Sequence, residues 1–176
     1  MKTDIIETDV LCIGGGIAGL MAAIRARELG AKVVVAEKGN AIASGSARAG
    51  NDHFQCYIPE VHGTDIKPFI HQLQSHRGQI RDRKLAQTWA ERSFDIVKLW
   101  DSWGIPMKYQ GRYEFAGHGY PGYRLDHLKY NGLKQKPILV QEATRRGAEI
   151  VNRIMIFDLL CDNGIVGAIG INTRED

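Results

Sequence analysis

Near the start of the chain, apolar positions follow first a strand period, then a helix period, then a strand period again. Residues 10–13 and 32–36 are largely apolar and rich in β-branched side chains, which is typical of strands buried on both faces. Between them, apolar residues recur at helical spacing from Ile17 to Ile24, and Gly30 stands where a left-handed residue ends a helix. The pattern predicts a βαβ unit.

The middle of the chain shows helical periodicity. Helices are expected over residues 66–75 and 81–103, and a further helix begins near Pro137 and leads into a strand at 149–151. The apolar residues assigned to the buried face of the long helix are Leu85, Trp89, Ile96, Val97, Trp100 and Trp103. Near the end, residues 154–171 contain two apolar runs joined by Asp162-Asn163-Gly164, a strong hairpin signal.

Three glycines fill the turn between the first strand and the first helix. Gly14 permits the turn, Gly16 lets backbone amides approach a diphosphate, and Gly19 lets helix and strand pack closely. The amides of this turn and of Ile17 and Ala18 then face an anion at the positive end of the helix dipole. We expect a dinucleotide diphosphate there. A glycine-rich turn without a ligand is the alternative interpretation.

Glu37 ends the second strand, where a carboxylate accepts hydrogen bonds from ribose hydroxyls and repels a 2′-phosphate. The ligand is therefore expected to be FAD or NAD rather than NADP. The following segment, residues 39–51, is made of small and polar residues, which let the backbone run close to a large flat ligand. A flexible surface loop is the alternative for this segment.

Composition excludes several classes of function. The 176 residues are 44% hydrophobic and 24% charged, and the net charge of +3 is scattered rather than gathered into a basic stripe, so no nucleic-acid partner is expected. The three cysteines and six histidines show no metal-ligand spacing, so no metal site is expected. No apolar run approaches membrane-spanning length and residues 1–9 carry no secretory pattern, so we expect a cytoplasmic protein without membrane insertion.

Residues 107–131 are polar and interleaved with glycine, which predicts an irregular loop or short hairpin. Its polar and aromatic residues are Tyr109, Arg112, Glu114, His118, Tyr120, Tyr123, Arg124, Asp126 and His127. His118 is the best isolated candidate for acid/base chemistry or anion contact, and a solvated loop histidine is the alternative. The residues alone assign no catalytic group.

An ordered set of motifs resembles the N-terminal part of the flavoprotein subunits of the fumarate reductase/succinate dehydrogenase family, which includes adenylylsulfate reductase alpha subunits. The resemblance covers residues 5–172. The matching motifs are Asp9-x-x-x-Ile13-Gly-Gly-Gly16-x-Ala18-Gly19-Leu20, Glu37-Lys38, Ser44-Gly45, Trp100-x-x-Trp103-Gly104-Ile105-Pro106 and Gly164-Ile165-Val166-Gly167-Ala168. The fold expected from it is α/β: a Rossmann-like FAD-binding domain with a parallel sheet, helices and a β-hairpin or meander.

The resemblance implies that the chain is a flavoprotein oxidoreductase's FAD-binding part, acting on a small anionic substrate and passing electrons to an iron–sulfur subunit. It places diphosphate on the Gly14 to Gly19 turn, the adenosine ribose on Glu37, and adenine near Met155, and it counts Lys38 of the Glu37-Lys38 motif among the cofactor-binding residues. The residues that it places against the isoalloxazine are Ser44, Gly45, Ser46, Ala49, Gly50 and Asn51.

This chain differs from the family pattern in two respects, and each difference changes what the resemblance implies. Respiratory members have a histidine joined covalently to the flavin where this chain has Gly45, so the FAD is expected to be non-covalent. Glycine at this position is also found in adenylylsulfate reductase alpha subunits, whose loop is the closer match. Family members are several hundred residues long, so residues 1–176 are expected to form the N-terminal part of an FAD-binding domain, incomplete at the C-terminus, with a helical insert at about 64–131.

Three other functions stay open on the sequence alone. The chain is alternatively an adenylylsulfate reductase-like flavoprotein, or a dinucleotide-binding module without catalysis. An NAD-dependent dehydrogenase shares the glycine turn and Glu37, although the small-residue loop disfavours it.

Overall fold

The computed structural model describes residues 3–75, 82–116 and 124–174. The chain divides into two compact units, one formed by Met1–Gly50 with Leu133–Asp176 and the other by Asn51–Gly132. Within the described ranges the elements are β1 (Val10–Ile13), α1 (Ile17–Glu28), β2 (Val33–Glu37), β3 (His53–Gln55), α2 (Pro59–His62), α3 (Lys67–Ser75), α4 (Arg83–Ser102), β4 (Glu114–Phe115), β5 (His127–Lys129), a 3-10 turn (Gly132–Lys134), α5 (Gln135–Arg145), β6 (Glu149–Asn152), β7 (Ile154–Cys161) and β8 (Ile165–Asn172).

A three-stranded parallel sheet organises the first unit. Its order is β1-β2-β6, with Val10 opposite Val33 and Val34 opposite Glu149. All five residues of the central β2 are buried, as expected of a parallel strand covered on both faces. Helices α1 and α5 pack against each other. The βαβ unit predicted from periodicity is confirmed, together with the helix and strand that follow the insertion.

Helix α1 ends as its sequence predicts. Gly30 has a φ of +89°, and its amide donates to the Arg27 carbonyl while the Ala31 amide donates to the Ala26 carbonyl. These two bonds form a Schellman motif and satisfy carbonyls that the helix leaves unpaired. The motif fixes the point at which the chain turns into β2.

The antiparallel pair β7 and β8 confirms the predicted hairpin. Its turn passes through Asn163 with a φ of +51° and Gly164 with a φ of +155°, conformations that these residue types tolerate. Both strands expose large apolar side chains, among them Phe157, Ile165 and Val166.

In the second unit, three short antiparallel strands in the order β3-β5-β4 accompany helices α2, α3 and α4. A cluster of Tyr57, Phe69, Leu73, Ala86 and Ala90 forms the core between the helices. The predicted helices at 66–75 and 81–103 are observed with slightly shorter bounds, and the short α2 was not predicted. The insert expected at about 64–131 falls within this unit.

The expected apolar face of α4 is partly wrong. Leu85 and Trp89 are 56% and 38% exposed, and the buried face consists of Ala86, Ala90, Ser93, Val97 and Trp100. Small residues let α3 approach α4 closely, so alanines rather than the larger side chains take the contact side. The Trp89 indole instead donates a hydrogen bond to the Gln55 carbonyl, at 3.1 Å.

The polar segment at 107–131 is described only in part. Glu114 and His127 lie in the strands β4 and β5, which pair antiparallel, while His118, Tyr120 and Tyr123 lie outside the described residues. A search of the described helices finds none with the length and apolar character needed to cross a bilayer.

Candidate functional site

The glycine turn between β1 and α1 has the geometry that its sequence predicts. Gly14 has a φ of +100°, which side-chain-bearing residues rarely adopt, and its amide donates to the Ala36 carbonyl at 2.8 Å. A Cβ atom at Gly19 would lie 2.0 Å from the Gly14 carbonyl oxygen. The first glycine therefore allows the turn and the third allows helix and strand to touch.

Gly16 leaves the start of α1 open. It is the N-cap residue and no side chain caps the helix there, so the first-turn amides have no acceptor within the helix. A Cβ atom added at Gly16 would meet nothing within 4 Å. The positive end of the helix dipole thus faces free space at this point, which suits a bound anion.

A cavity of about 390 Å³ lies at this helix start. Its lining residues are Gly16, Ile17, Ala18, Ser44, Gly45, Ser46, Ala47 and Lys136. Six of these residues were predicted from the sequence to bind the cofactor, three from the glycine turn and three from the small-residue loop. The fold therefore brings the two predicted segments together around one space.

Glu37 lies behind the turn, buried to 5% exposure. Its Oε2 accepts the Gly15 amide and its Oε1 accepts the Gly39 amide, both at 2.7 Å. Burial opposes ionisation, but these two amides, the Ser44 hydroxyl and the Lys136 charge outweigh it and hold the pKa of Glu37 below its usual value. The carboxylate is thus ionised and fixed in direction, and its oxygens keep lone pairs for further donors.

Lys136 was missed by the sequence reasoning. It lies in the first turn of α5 and is only 2% exposed, and its Nζ donates a hydrogen bond to the Gly15 carbonyl. Burial lowers the pKa of Lys136, and the Glu37 carboxylate counteracts this. A lysine at a helix start is normally solvated, so only the packing of α5 against α1 reveals that this one is enclosed.

The remaining predicted residues lie outside the cavity lining. Lys38 is exposed, and Ala49 and Gly50 follow the lining segment in the loop, where the Gly50 amide donates to Ala47. Met155 lies in β7 opposite Ile171. Asn51 begins the second unit, where its carbonyl accepts the Gly132 amide at 2.9 Å.

The Arg153 amide donates to the Gly39 carbonyl at 3.0 Å. This bond places the beginning of β7 beside the end of β2. The hairpin strand that carries Met155 therefore starts close to Glu37.

The lining favours holding a ligand over reacting with it. Within the described part of the chain, Lys136 is the only titratable side chain among the lining residues; the others are glycines, alanines, serines and an isoleucine. Backbone amides, hydroxyls and one cation suit an anionic ligand whose reactive part is its own. The open space at Gly16 fits the diphosphate of a dinucleotide.

A comparison with protein families identifies which dinucleotide the chain binds. The family described as "FAD binding domain" matches residues 9–176. The chain belongs to this family. As a flavin-binding member, it uses FAD as its cofactor, which decides between the two dinucleotides that Glu37 alone left open.

The similar proteins are longer than this chain. One subunit of the fumarate reductase (CoM/CoB) of Methanothermobacter marburgensis is 30% identical over 98% of this chain, and the match covers 32% of that relative. Adenylylsulfate reductase of Archaeoglobus fulgidus is 28% identical with a TM-score of 0.83, covering 98% of this chain and 28% of that one. The chain therefore spans about a third of the length of the relatives that it matches.

A flavocytochrome c3 fumarate reductase in its open conformation shares the fold, at 22% identity and a TM-score of 0.75. That match covers 94% of this chain and 30% of the other. The predicted α/β fold with a parallel sheet and the predicted family resemblance are both confirmed by these comparisons.

Proposed function

We propose that this chain is the N-terminal part of the FAD-binding domain of a fumarate reductase/succinate dehydrogenase-type oxidoreductase, with residues 64–131 inserted into that domain. The protein would move electrons between FAD and a small anionic substrate, a dicarboxylate or oxyanion. The observation that carries the proposal is the open helix start at Gly16, in a chain that matches the FAD-binding family over residues 9–176. FAD itself supplies the two-electron chemistry, at its flavin ring.

The residue roles in this proposal follow from position. Amides of the Gly14 to Gly19 turn, including those of Ile17 and Ala18, would hold the diphosphate, Glu37 would bind the adenosine ribose, and the neighbouring Lys38 would also belong to the cofactor site. Backbone near Met155 would contact adenine, because β7 begins beside the end of β2. Residues proposed to lie along the flavin are Ser44, Gly45, Ser46, Ala49 and Gly50, and the resemblance adds Asn51.

We further propose that the FAD is held without a covalent bond. Gly45 occupies the position of the family's flavin-linked histidine and has no nucleophile, and its φ of +82° favours glycine there. Acid treatment of the flavin-loaded protein should therefore release all of the flavin. Flavin that stays with the precipitated chain would contradict a non-covalent site.

An adenylylsulfate reductase-like flavoprotein is the second candidate. Gly45 and the structural match to the Archaeoglobus fulgidus enzyme, at 28% identity, favour it. Sulfite and fumarate would separate the two candidates, because an oxyanion of sulfur should perturb the flavin absorbance of one and a dicarboxylate that of the other. The electron partner proposed from the family resemblance is an iron–sulfur subunit.

We also propose a cytoplasmic location. All three cysteines are free thiols in the structure, which is typical of proteins from a reducing compartment.

Titration of the purified protein with FAD, followed by quenching of flavin fluorescence, tests the proposed function. Gly16→Val should weaken FAD binding by at least ~100-fold, the cost of losing two charge-assisted hydrogen bonds to the diphosphate. Its melting temperature should stay near that of the wild type, because a Cβ atom at this position would meet no heavy atom within 4 Å.

Ala22→Val is the matched control, since it adds similar bulk to the exposed side of α1. It should bind FAD like the wild type. Equal FAD affinity of Gly16→Val and the wild type would contradict the proposed site. For a protein that binds FAD, reduction by dithionite and turnover with artificial electron donors would distinguish an oxidoreductase from a binding module without catalysis.

A further inference from the structure

We propose that Lys136 is a positioning residue of the FAD site: its buried ammonium holds the Gly15 carbonyl and balances the Glu37 charge, so that the Gly16 amide at the start of α1 stays turned toward the diphosphate. The inference rests on the proposed function. It adds a residue from α5 to a site that the glycine motif and Glu37 otherwise define.

Both polar groups of Gly15 are fixed by side chains from other elements. Its amide donates to Glu37 of β2 at 2.7 Å, and its carbonyl accepts from Lys136 of α5. With these two bonds in place, neither of the two peptide units that flank Gly15 can rotate without breaking a buried charge-assisted hydrogen bond. The Gly16 amide lies in the same planar peptide unit as the Gly15 carbonyl, so it keeps one orientation before any ligand arrives.

The charge of Lys136 has a second effect. Glu37 is nearly fully buried, and a diphosphate bound next to an uncompensated buried carboxylate would be repelled. The groups that face Glu37 are the Gly39 and Gly15 amides, the Ser44 hydroxyl and Lys136, and Lys136 is the charged one among them. Asn152 of β6, the register neighbour of Glu37, is neutral.

The position of Lys136 supports a role in binding beyond packing. A buried lysine is costly to keep charged, and an apolar side chain of similar length fills the same space at less cost. Yet this lysine lines the cavity at the helix start, beside Gly16, Ile17 and Ala18. An anion bound in this cavity would offset the free-energy cost of burying the lysine charge.

The test measures FAD affinity in purified protein freed of flavin, using Lys136→Met and the matched control Lys134→Met. Lys134 lies two residues earlier and is exposed, so its replacement makes the same change in net charge away from the cavity. We expect Lys136→Met to raise the Kd for FAD by about tenfold or more, as loss of a charge-assisted hydrogen bond predicts. Lys134→Met should leave the Kd within about twofold, as an exposed charge does.

Coupling to Glu37 separates positioning from general packing. In a Glu37→Gln background the buried carboxylate is gone, so Lys136→Met should weaken FAD binding by a smaller factor than in the wild type. The Kd of Lys136→Met relative to that of the wild type should also fall as the pH falls and Glu37 takes up a proton, a trend that Lys134→Met should not show. If Lys136→Met alone fails to fold, the effect of this substitution on FAD binding can still be measured by comparing the double variant with Glu37→Gln.

The outcomes are distinct. Equal FAD affinity of wild type and Lys136→Met overturns this inference while leaving the proposed function intact. An equal fold-loss in both backgrounds, with no pH trend, shows that Lys136 acts independently of Glu37 and also overturns it. A wild-type protein that does not bind FAD overturns the proposed function, and this inference with it.

Discussion

Gly16 and Gly19 belong to one motif but serve different needs, which the structure separates. Gly19 is required by the fold, because a side chain there would run into the Gly14 carbonyl. A Cβ atom at Gly16 would meet no heavy atom within 4 Å, so the fold itself does not exclude a side chain there. A ligand that needs close approach explains the glycine, and substitutions at the two positions should fail in different ways.

Gly19→Ala should destabilise the protein itself. The added Cβ would lie 2.0 Å from a backbone oxygen, and overpacking of this kind typically costs about 1–3 kcal/mol. Chemical denaturation followed by circular dichroism should show the loss, while Gly16→Ala remains close to the wild type in the same assay. Comparable stability of the two variants would contradict the assignment of separate roles.

Glu37 gives the protein a predictable response to acid. Its pKa is held below the unfolded value despite the opposing effect of burial, so the ionised group contributes stability above the unfolded pKa of about 4.3. That contribution is lost as the pH falls through the lower folded pKa. The melting-temperature advantage of wild type over Glu37→Gln should therefore shrink between about pH 7 and about pH 3; a constant difference would contradict the prediction.

Sequence reasoning found the carboxylate but not its surroundings. The position of Glu37 at the end of β2 can be predicted from the apolar run of the strand and from the preceding glycine motif, and both are local features of the sequence. Its bonds to Gly15 and Gly39 and its pairing with Lys136 depend on how α5 returns to the sheet after an intervening unit of the chain. A lysine beside Pro137 carries no local signal of burial.

At the scale of elements, helices were predicted well where period and end signals agree. Helix α1 has both an apolar period and the Gly30 cap, and its bounds are as expected. The residues of α4 repeat at helical spacing, but two faces of the helix fit this spacing. One face contains Leu85 and Trp89, and the other contains Ala86 and Ala90. The face with the small residues is buried because it allows close helix packing, and the hydrophobicity of a single sequence does not show this preference.

The start of α4 offers a test of helix capping. The Asp82 carboxylate accepts hydrogen bonds from the amides of Lys84 at 2.8 Å and Leu85 at 3.1 Å. Asp82→Ala should lower the free energy of unfolding by about 1 kcal/mol. Asp95→Ala, which breaks exposed ion pairs within the same helix, should cost less than about 0.5 kcal/mol. Equal losses would show that Asp82 does not act as a cap.

At the scale of the whole molecule, burial divides the thiols into two classes. Cys12 and Cys56 are buried, and Cys161 is exposed at the end of β7. Burial, together with the Asp126 charge, raises the pKa of Cys56 to about 12, and burial also raises the pKa of Cys12. The thiolate needed for alkylation is therefore scarce at both buried sites.

Thiol labelling of the native protein should consequently modify a single cysteine rapidly, and denaturation should expose all three. Cys161→Ser should remove the rapid phase. Rapid labelling of a second thiol in the native protein would mean that the surroundings of Cys12 or Cys56 open more readily than the structure indicates.

The chain spans about a third of the length of its relatives. Among the described residues, the cavity at the start of α1 is lined by the glycine turn, the small-residue loop and Lys136. We propose the substrate class from the family resemblance, whereas cofactor binding can be tested on these lining residues. The cofactor site is therefore where the proposed function is tested most sharply.

A crystal structure of the protein with bound FAD would show directly whether the diphosphate lies at the start of α1. We expect diphosphate oxygens within about 2.7–3.2 Å of first-turn amides of α1, next to Gly16, with a ribose hydroxyl on Glu37. FAD bound elsewhere, with a side chain of the protein occupying the start of α1, would contradict this expectation.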